Sequence, residues 1–502
     1  MAILSARAHE LLGAVPAVGS RSVHVSLDQR SAARAERHPL LAGTSASEHT
    51  RGAGGGAHLR ASPLYVESVA WVTERKNVLS GAFFLSSLLA YLRFAPPEAA
   101  SREEPRRWGY YLLALGLFVC ALLSKTITCS LPAVILMLVW WKRGRLEPRD
   151  LAPLLPFFAV GLALGLTTVV LEKRHVGAEG SEFSLSFLER GLVAGRALWF
   201  YATKLVWPRR LTFIYPRWRI DASSAWQYLF PLSALLAIAA LWITRARIGR
   251  GPLAAVLVFV AILAPALGFV DAYPMRFSFV ADHFQYLAST GLIALGVALA
   301  TTWAASGGTR GMRLGEGSCA VLCGVLVLLT WGQTHIYKDL DTLWRDTLAK
   351  NPDCWMAHNN LGFLLKNEGR LDEAVEHFNA ALRVKPDHVP ARYNLALALA
   401  RQGKLDQAIS QYEEALREWP RYADLHNSLG LAFAEQGKLD LAVVQYREAL
   451  SLEPRHTLAH FNLGLVLQRL GNVKEAAEHF ETSARLDPSF APAQRALANL
   501  RR

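Results

Sequence analysis

The chain has 502 residues, of which 52% are hydrophobic and 19% charged, and its mean hydropathy is +0.19. That balance is too apolar for a soluble protein of this size, so part of the chain belongs in a membrane. Lys and Arg number 54 against 41 Asp and Glu, a formal net charge of +13, but many of the basic residues lie in short loops between apolar runs. Such a pattern points to membrane topology and away from nucleic acid.

Residues 1–61 are rich in Ala, Arg, Gly, Ser and His and contain no apolar run long enough for a span or a signal-peptide core, so no fold is expected there. The segment 62–335 alternates apolar runs with short polar loops and is expected to be a multi-span membrane domain. Its eight runs fall near 78–93, 108–124, 126–141, 151–171, 226–243, 252–270, 286–303 and 318–332, several of them short of a full crossing. Tryptophans such as Trp108, Trp140, Trp226, Trp242, Trp303 and Trp331 sit near run ends, where an amphipathic indole prefers the headgroups. A further stretch, 188–207, carries Arg190, Arg196 and Lys204 and is read as an interfacial helix, because three charges make a lipid span costly.

The basic loops 94–107, 142–150, 244–251 and 304–317 obey the positive-inside rule if all four are cytoplasmic. The other side then receives 62–77, 172–225, 271–285 and the whole C-terminal region. Four of the five cysteines lie in apolar runs and Cys354 opens the next region, so neither a disulfide framework nor a zinc motif is read from them.

From about 340 the chain becomes amphipathic, with a period of 34 residues. The period aligns Gly362, Ala396, Gly430 and Gly464; Ala374, Ala408, Ala442 and Ala476; Phe378, Tyr412, Tyr446 and Phe480; and Pro386, Pro420, Pro454 and Pro488. This is the spacing of tetratricopeptide (TPR) repeats: small residues let two helices approach, an aromatic fills the gap and proline ends the second helix. Four repeats are expected over 355–490, with a capping helix at 340–354 and a C-terminal helical cap at 491–502. The fold class is therefore all-α, a polytopic helical membrane domain followed by a TPR α-solenoid.

Asn360, Asn394 and Asn462 share one column, broken by Ser428, and carboxamides there suit the backbone of an extended peptide. His358, His426 and His460 share another, with Arg392 in the gap, and successive repeats hold them too far apart for a common metal, so packing is their expected role.

Three stretches, Ser62 to Gly81, Trp199 to Trp218 and Met275 to Gly291, resemble, together with the repeat tail, the transmembrane and TPR-containing O-mannosyltransferase family of GT-C type. The resemblance spans about 62–490, and the family's first membrane helix and acidic loop have no counterpart in 1–61. It implies transfer of a sugar, mannose in that family, from a polyprenyl-phosphate donor to protein Ser or Thr on the extracytoplasmic side. The bacterial inner membrane is the implied location. Asp282, Glu67 and His283 are then the catalytic candidates, and Arg276, Arg217, Arg209 and Arg210 the donor-phosphate candidates, basic side chains beside the membrane being suited to a lipid phosphate. No metal ligand is assigned. The implied partners are the membrane, a lipid-linked sugar and a polypeptide acceptor in the TPR groove. The alternative is a catalytically inactive membrane-anchored TPR scaffold.

Overall fold

The computed structural model describes residues 62–70, 74–97, 107–176, 180 and 183–500; the segment 1–61 lies outside the described residues. The protein is all-α, with long apolar helices followed by a TPR α-solenoid. It divides into two compact units, with the boundary along the chain between Asp346 and Thr347.

In the first unit the main helices are α1 (Arg75–Phe94), α2 (Trp108–Ser124), α3 (Leu131–Arg143), α4 (Leu155–Leu171), α5 (Phe187–Val206), α6 (Leu229–Ile248), α7 (Gly251–Leu263), α8 (Ser289–Ser306) and α9 (Gly308–Thr334). Five stretches are long and apolar enough to cross a membrane: Arg75–Phe94, Pro148–His175, Ala225–Ile248, Ser289–Ser306 and Gly308–Tyr337. Trp108–Ser124 and Gly251–Ala266 are shorter apolar helices. The core collects Phe84, Tyr91, Phe118, Leu131, Phe157, Tyr201 and Leu263, and α1 packs mainly against α2. By contrast, α6 buries no residue, and Leu232, Leu235, Leu236 and Ile243 are exposed on it. A helix that is apolar all round yet unburied belongs in lipid.

Helix α5 shows how the fold accommodates charge. Arg190 donates to the carbonyls of Leu185, Phe183 and Gly268 at 3.2, 3.1 and 2.8 Å and pairs with Asp271 at 2.7 Å. Arg196 lies over the Trp218 ring at 4.4 Å. Each guanidinium thus faces protein groups that favour a cation.

The second unit is built from helix pairs: α11 (Trp355–Asn367) with α12 (Leu371–Val384), α13 (Val389–Arg401) with α14 (Leu405–Glu418), α15 (Ala423–Glu435) with α16 (Leu439–Leu452), and α17 (Thr457–Arg469) with α18 (Val473–Leu486), where α10 is Leu340–Lys350 and α19 is Ala491–Leu500. The repeat columns have direct physical roles. Phe378, Tyr412, Tyr446 and Phe480 are at most 1% exposed. A Cβ added to Gly362, Gly430 or Gly464 would come within 2.8, 2.8 and 2.7 Å of the facing ring, so the small residue sets the helix approach. Between paired helices the chain turns at Gly369, Gly403, Gly437 and Gly471, with φ of 82°, 76°, 78° and 86°, a left-handed geometry that favours glycine.

Candidate functional site

Two polar assemblies stand out, one in each unit. The first forms where Pro63–Tyr65 and the short helix Val66–Ala70 meet the single helical turn Asp282–Gln285. Glu67 and Asp282 are 3% and 4% exposed. His283 Nδ1 lies 2.8 Å from Glu67 Oε1, while Tyr215 donates its hydroxyl to Asp282 at 2.8 and 3.1 Å. The structure thus brings Glu67 and His283 into direct contact and gives Asp282 a tyrosine partner. Oε2 of Glu67 and both polar atoms of the Gln285 side chain are buried without a hydrogen-bond partner among the described residues.

Sequence reasoning missed the adjoining group. Asn77 donates to Glu74 at 2.8 Å and to Ser68 at 3.1 Å, and Lys125 bonds Asn77 and approaches Glu74 at 3.7 Å. Burial opposes the charged form of Glu74, but His283, Lys125 and Lys76 outweigh it and hold the carboxyl down at about 2. Burial likewise lowers Lys125, to about 8, against the pull of Glu74. The signal for this group was present in the Ser124-Lys125-Thr126 turn, an isolated charge between two apolar runs.

The four arginines behave differently from one another. Arg217 lies 4.9 Å from the Phe279 ring centroid, and Arg276 lies 5.1 Å from that of Tyr273. Arg209 and Arg210 are exposed, and their main-chain carbonyls accept from Lys204.

The second assembly lies on the first helices of the repeats. Asn394 Oδ1 accepts from Lys366 Nζ at 2.8 Å, Asn462 donates to Asn427 at 3.0 Å, and Asn360 accepts from Asn359 at 3.2 Å. The Tyr393 and Ser428 hydroxyls meet at 3.1 Å. Asn394 and Asn462 therefore form part of a seam between repeats, while Asn360 bonds within its own helix, and each carboxamide has more donor and acceptor positions than that one contact uses. Lys366, which sequence reasoning passed over, is 5% exposed and sits 4.6 Å from the Phe363 ring centroid. Burial, then Arg401, lowers it to about 8. No carboxylate pairs with it among the described residues.

The comparisons bear on the second unit. Models described as tetratricopeptide repeat match residues 342–389, 364–423, 393–449 and 457–490, and one described as TPR repeat matches 430–471. No curated protein matches the chain. Among solved structures, MamA from Desulfovibrio magneticus RS-1 is similar at 25% identity, with 30% of this chain and 85% of that one covered and a TM-score of 0.29. TTC0263, a thermophilic TPR protein in Thermus thermophilus, is similar at 24% identity, with 35% and 93% covered and a TM-score of 0.29. YrrB, described as a TPR protein with an unusual peptide-binding site, is similar at 20% identity, with 34% and 88% covered and a TM-score of 0.29.

These findings correct the sugar-transfer reading. The matching models describe repeats and no glycosyltransferase, and among the described residues no group of three or more His, Cys, Asp or Glu could hold a metal ion. The expected mannosyltransferase activity, protein O-glycosylation and polyprenyl-phosphate sugar donor are withdrawn, and the scaffold alternative is the better reading. The contacts of Glu67, Asp282 and His283 are ones a buried polar core also makes. The chain is a TPR-repeat protein with a membrane-associated region of long apolar helices.

Proposed function

We propose that this protein is a non-enzymatic, membrane-anchored TPR scaffold that holds an extended, acidic polypeptide on the first-helix face of its repeats. The observation that carries this reading is Lys366: a buried ammonium facing Asn394, with Arg401 as its charged neighbour and no carboxylate pairing with it among the described residues. A buried cation left without a counter-charge is costly, and an acidic side chain of a bound peptide supplies it. Asn360, Asn394 and Asn462 offer their remaining amide groups to the peptide backbone.

In this reading the first unit is the anchor. Its three stretches resembling the membrane TPR family contribute packed polar cores, Glu67 with His283 and Tyr215 with Asp282, rather than a reaction centre. Arg217 and Arg276 hold lipid headgroup phosphates, and Arg209 and Arg210 lie at the same surface. The basic-loop pattern supports placing the repeats on the extracytoplasmic side. Fusions of alkaline phosphatase and of a fluorescent protein to the C-terminus test that placement, and fluorescence without phosphatase activity would reverse it.

The binding test uses the full chain in detergent micelles and fluorescent unstructured peptides of equal length, one acidic and one with the acids amidated. Wild type should prefer the acidic peptide, Lys366→Met should lose the preference, and the triple Asn360→Ala, Asn394→Ala, Asn462→Ala variant should weaken both. Equal affinity of wild type for the two peptides would defeat the proposal.

A further inference from the structure

The first and fourth repeats share a feature that the middle two lack. His358 Nδ1 faces His377 Nδ1 at 2.9 Å, and His460 Nδ1 faces His479 Nδ1 at 2.8 Å. Within each pair the residues are 19 apart, bridging the two helices of one repeat. The equivalent positions hold Arg392 with Gln411, at 3.3 Å, and His426 with Gln445, at 2.8 Å.

The tautomers follow from the outer nitrogens. His358 Nε2 lies 2.9 Å from the Pro352 carbonyl and His460 Nε2 3.1 Å from the Pro454 carbonyl. A carbonyl only accepts, so both Nε2 atoms carry hydrogen, and in the neutral ring Nδ1 is left with a bare lone pair. That pair accepts the Nδ1 hydrogen of the facing histidine. A histidine whose outer N–H is fixed by a backbone carbonyl, with its other nitrogen bare and aimed inward, is oriented as a metal ligand is. Burial lowers His358, His460 and His479, and Arg383 beside His358 and Arg485 beside His460 push the same way.

We propose that each pair is a two-imidazole site for a borderline divalent cation, Zn2+ in the first instance, the ion displacing the hydrogen that the two Nδ1 atoms share. The spacing fits. With a Zn–N distance of about 2.05 Å and a ring centre about 1.15 Å behind the nitrogen, a tetrahedral ion sets two imidazole centres about 5.2 Å apart. The ring centroids are 5.2 Å apart in the first repeat and 5.1 Å in the fourth. Binding therefore needs each ring to pivot so that Nδ1 aims at a common point, with no change in helix spacing. The side chain of His479 is 21% exposed, which leaves a path to solvent, and water fills the remaining coordination positions. No net proton is lost: the hydrogen on Nδ1 of His377 or His479 passes through solvent to Nε2 of the same ring, which stays neutral.

The test is a zinc count on the full chain in detergent, purified without a polyhistidine tag and stripped with chelator. After equilibrium dialysis against micromolar Zn2+, wild type should retain two more ions than H377Q/H479Q, and each single variant should lose one. These substitutions recreate the His–Gln pairing that His426 and Gln445 already make in the third repeat, and far-UV circular dichroism confirms the fold. H358Q/H460Q, which removes the facing rings, should lose the same two ions. Added Zn2+ should also raise the melting temperature of wild type and leave that of either double variant unmoved. Equal retention by wild type and both double variants, or no retention by wild type, would overturn the proposal; a single variant that keeps its ion overturns the site in that repeat.

Discussion

His283 and Glu67 make a 2.8 Å contact between residues 216 positions apart in sequence, and it ties the chain's first described segment to the loop preceding α8. Glu67 is 3% exposed, so removing the imidazole leaves a buried carboxylate unsatisfied. His283→Ala should destabilise the first unit by about 1.5–3 kcal/mol, and the change should shrink in a Glu67→Gln background. Unfolding in mixed micelles measures both, and additive effects would show that the contact contributes nothing.

Acid should loosen the neighbouring group. The folded value of Glu74, about 2, lies below its ordinary 4.5. A depressed carboxyl contributes stability that is present above the unfolded value and disappears as pH falls through the folded one, here between about 4.5 and 2. Lys125 is also lowered, by burial, but its window, from about 8 up to its ordinary 10.5, is alkaline and leaves the acid limb untouched. Glu74→Gln should therefore flatten the acid limb by about 2 kcal/mol, and an unchanged limb would assign acid sensitivity elsewhere.

Arg190 supplies a charge-removal test. Its pairing with Asp271 at 2.7 Å couples α5 to the loop after α7. Asp271→Asn should cost about 1–3 kcal/mol, since the carbonyls of Phe183, Leu185 and Gly268 still solvate the cation, whereas Arg190→Leu strands those carbonyls and Asp271 together and should cost more. Thermal inactivation of the detergent-solubilised chain ranks the two, and the reverse order would refute this account.

In the repeats, Phe480→Ala should cost about 3–5 kcal/mol, because the ring is fully buried and faces Gly464. Limited proteolysis should then cut first within 457–500 and leave 355–456 protected, as expected where each repeat rests on its neighbours. Uniform digestion would mean that the array melts as one.

The repeats were legible because one period writes the same contact three times: Gly362 against Phe378 recurs as Gly430 against Tyr446 and Gly464 against Phe480. In the first unit the long apolar helices were legible from hydropathy alone. Polar pairings were not, since nothing in the sequence links Tyr215 to Asp282 or Asn77 to Lys125 across apolar helices. In the histidine column the gap was of another kind. Comparing His358 with His426 and His460 down the column hid the real partners, His377 and His479, which lie across the helix pair.

The glycine turns carry a consequence for how such an array changes length. Because Gly369, Gly403, Gly437 and Gly471 hold nearly the same backbone angle at the same register, any two of these joints are interchangeable. Excising residues 404–437 would rejoin Gly403 to Lys438 with like meeting like, just as a tandem duplication would insert a unit whose ends already match. The array can therefore gain or lose reach in steps of one repeat by recombination alone, while an insertion of any other size breaks the register.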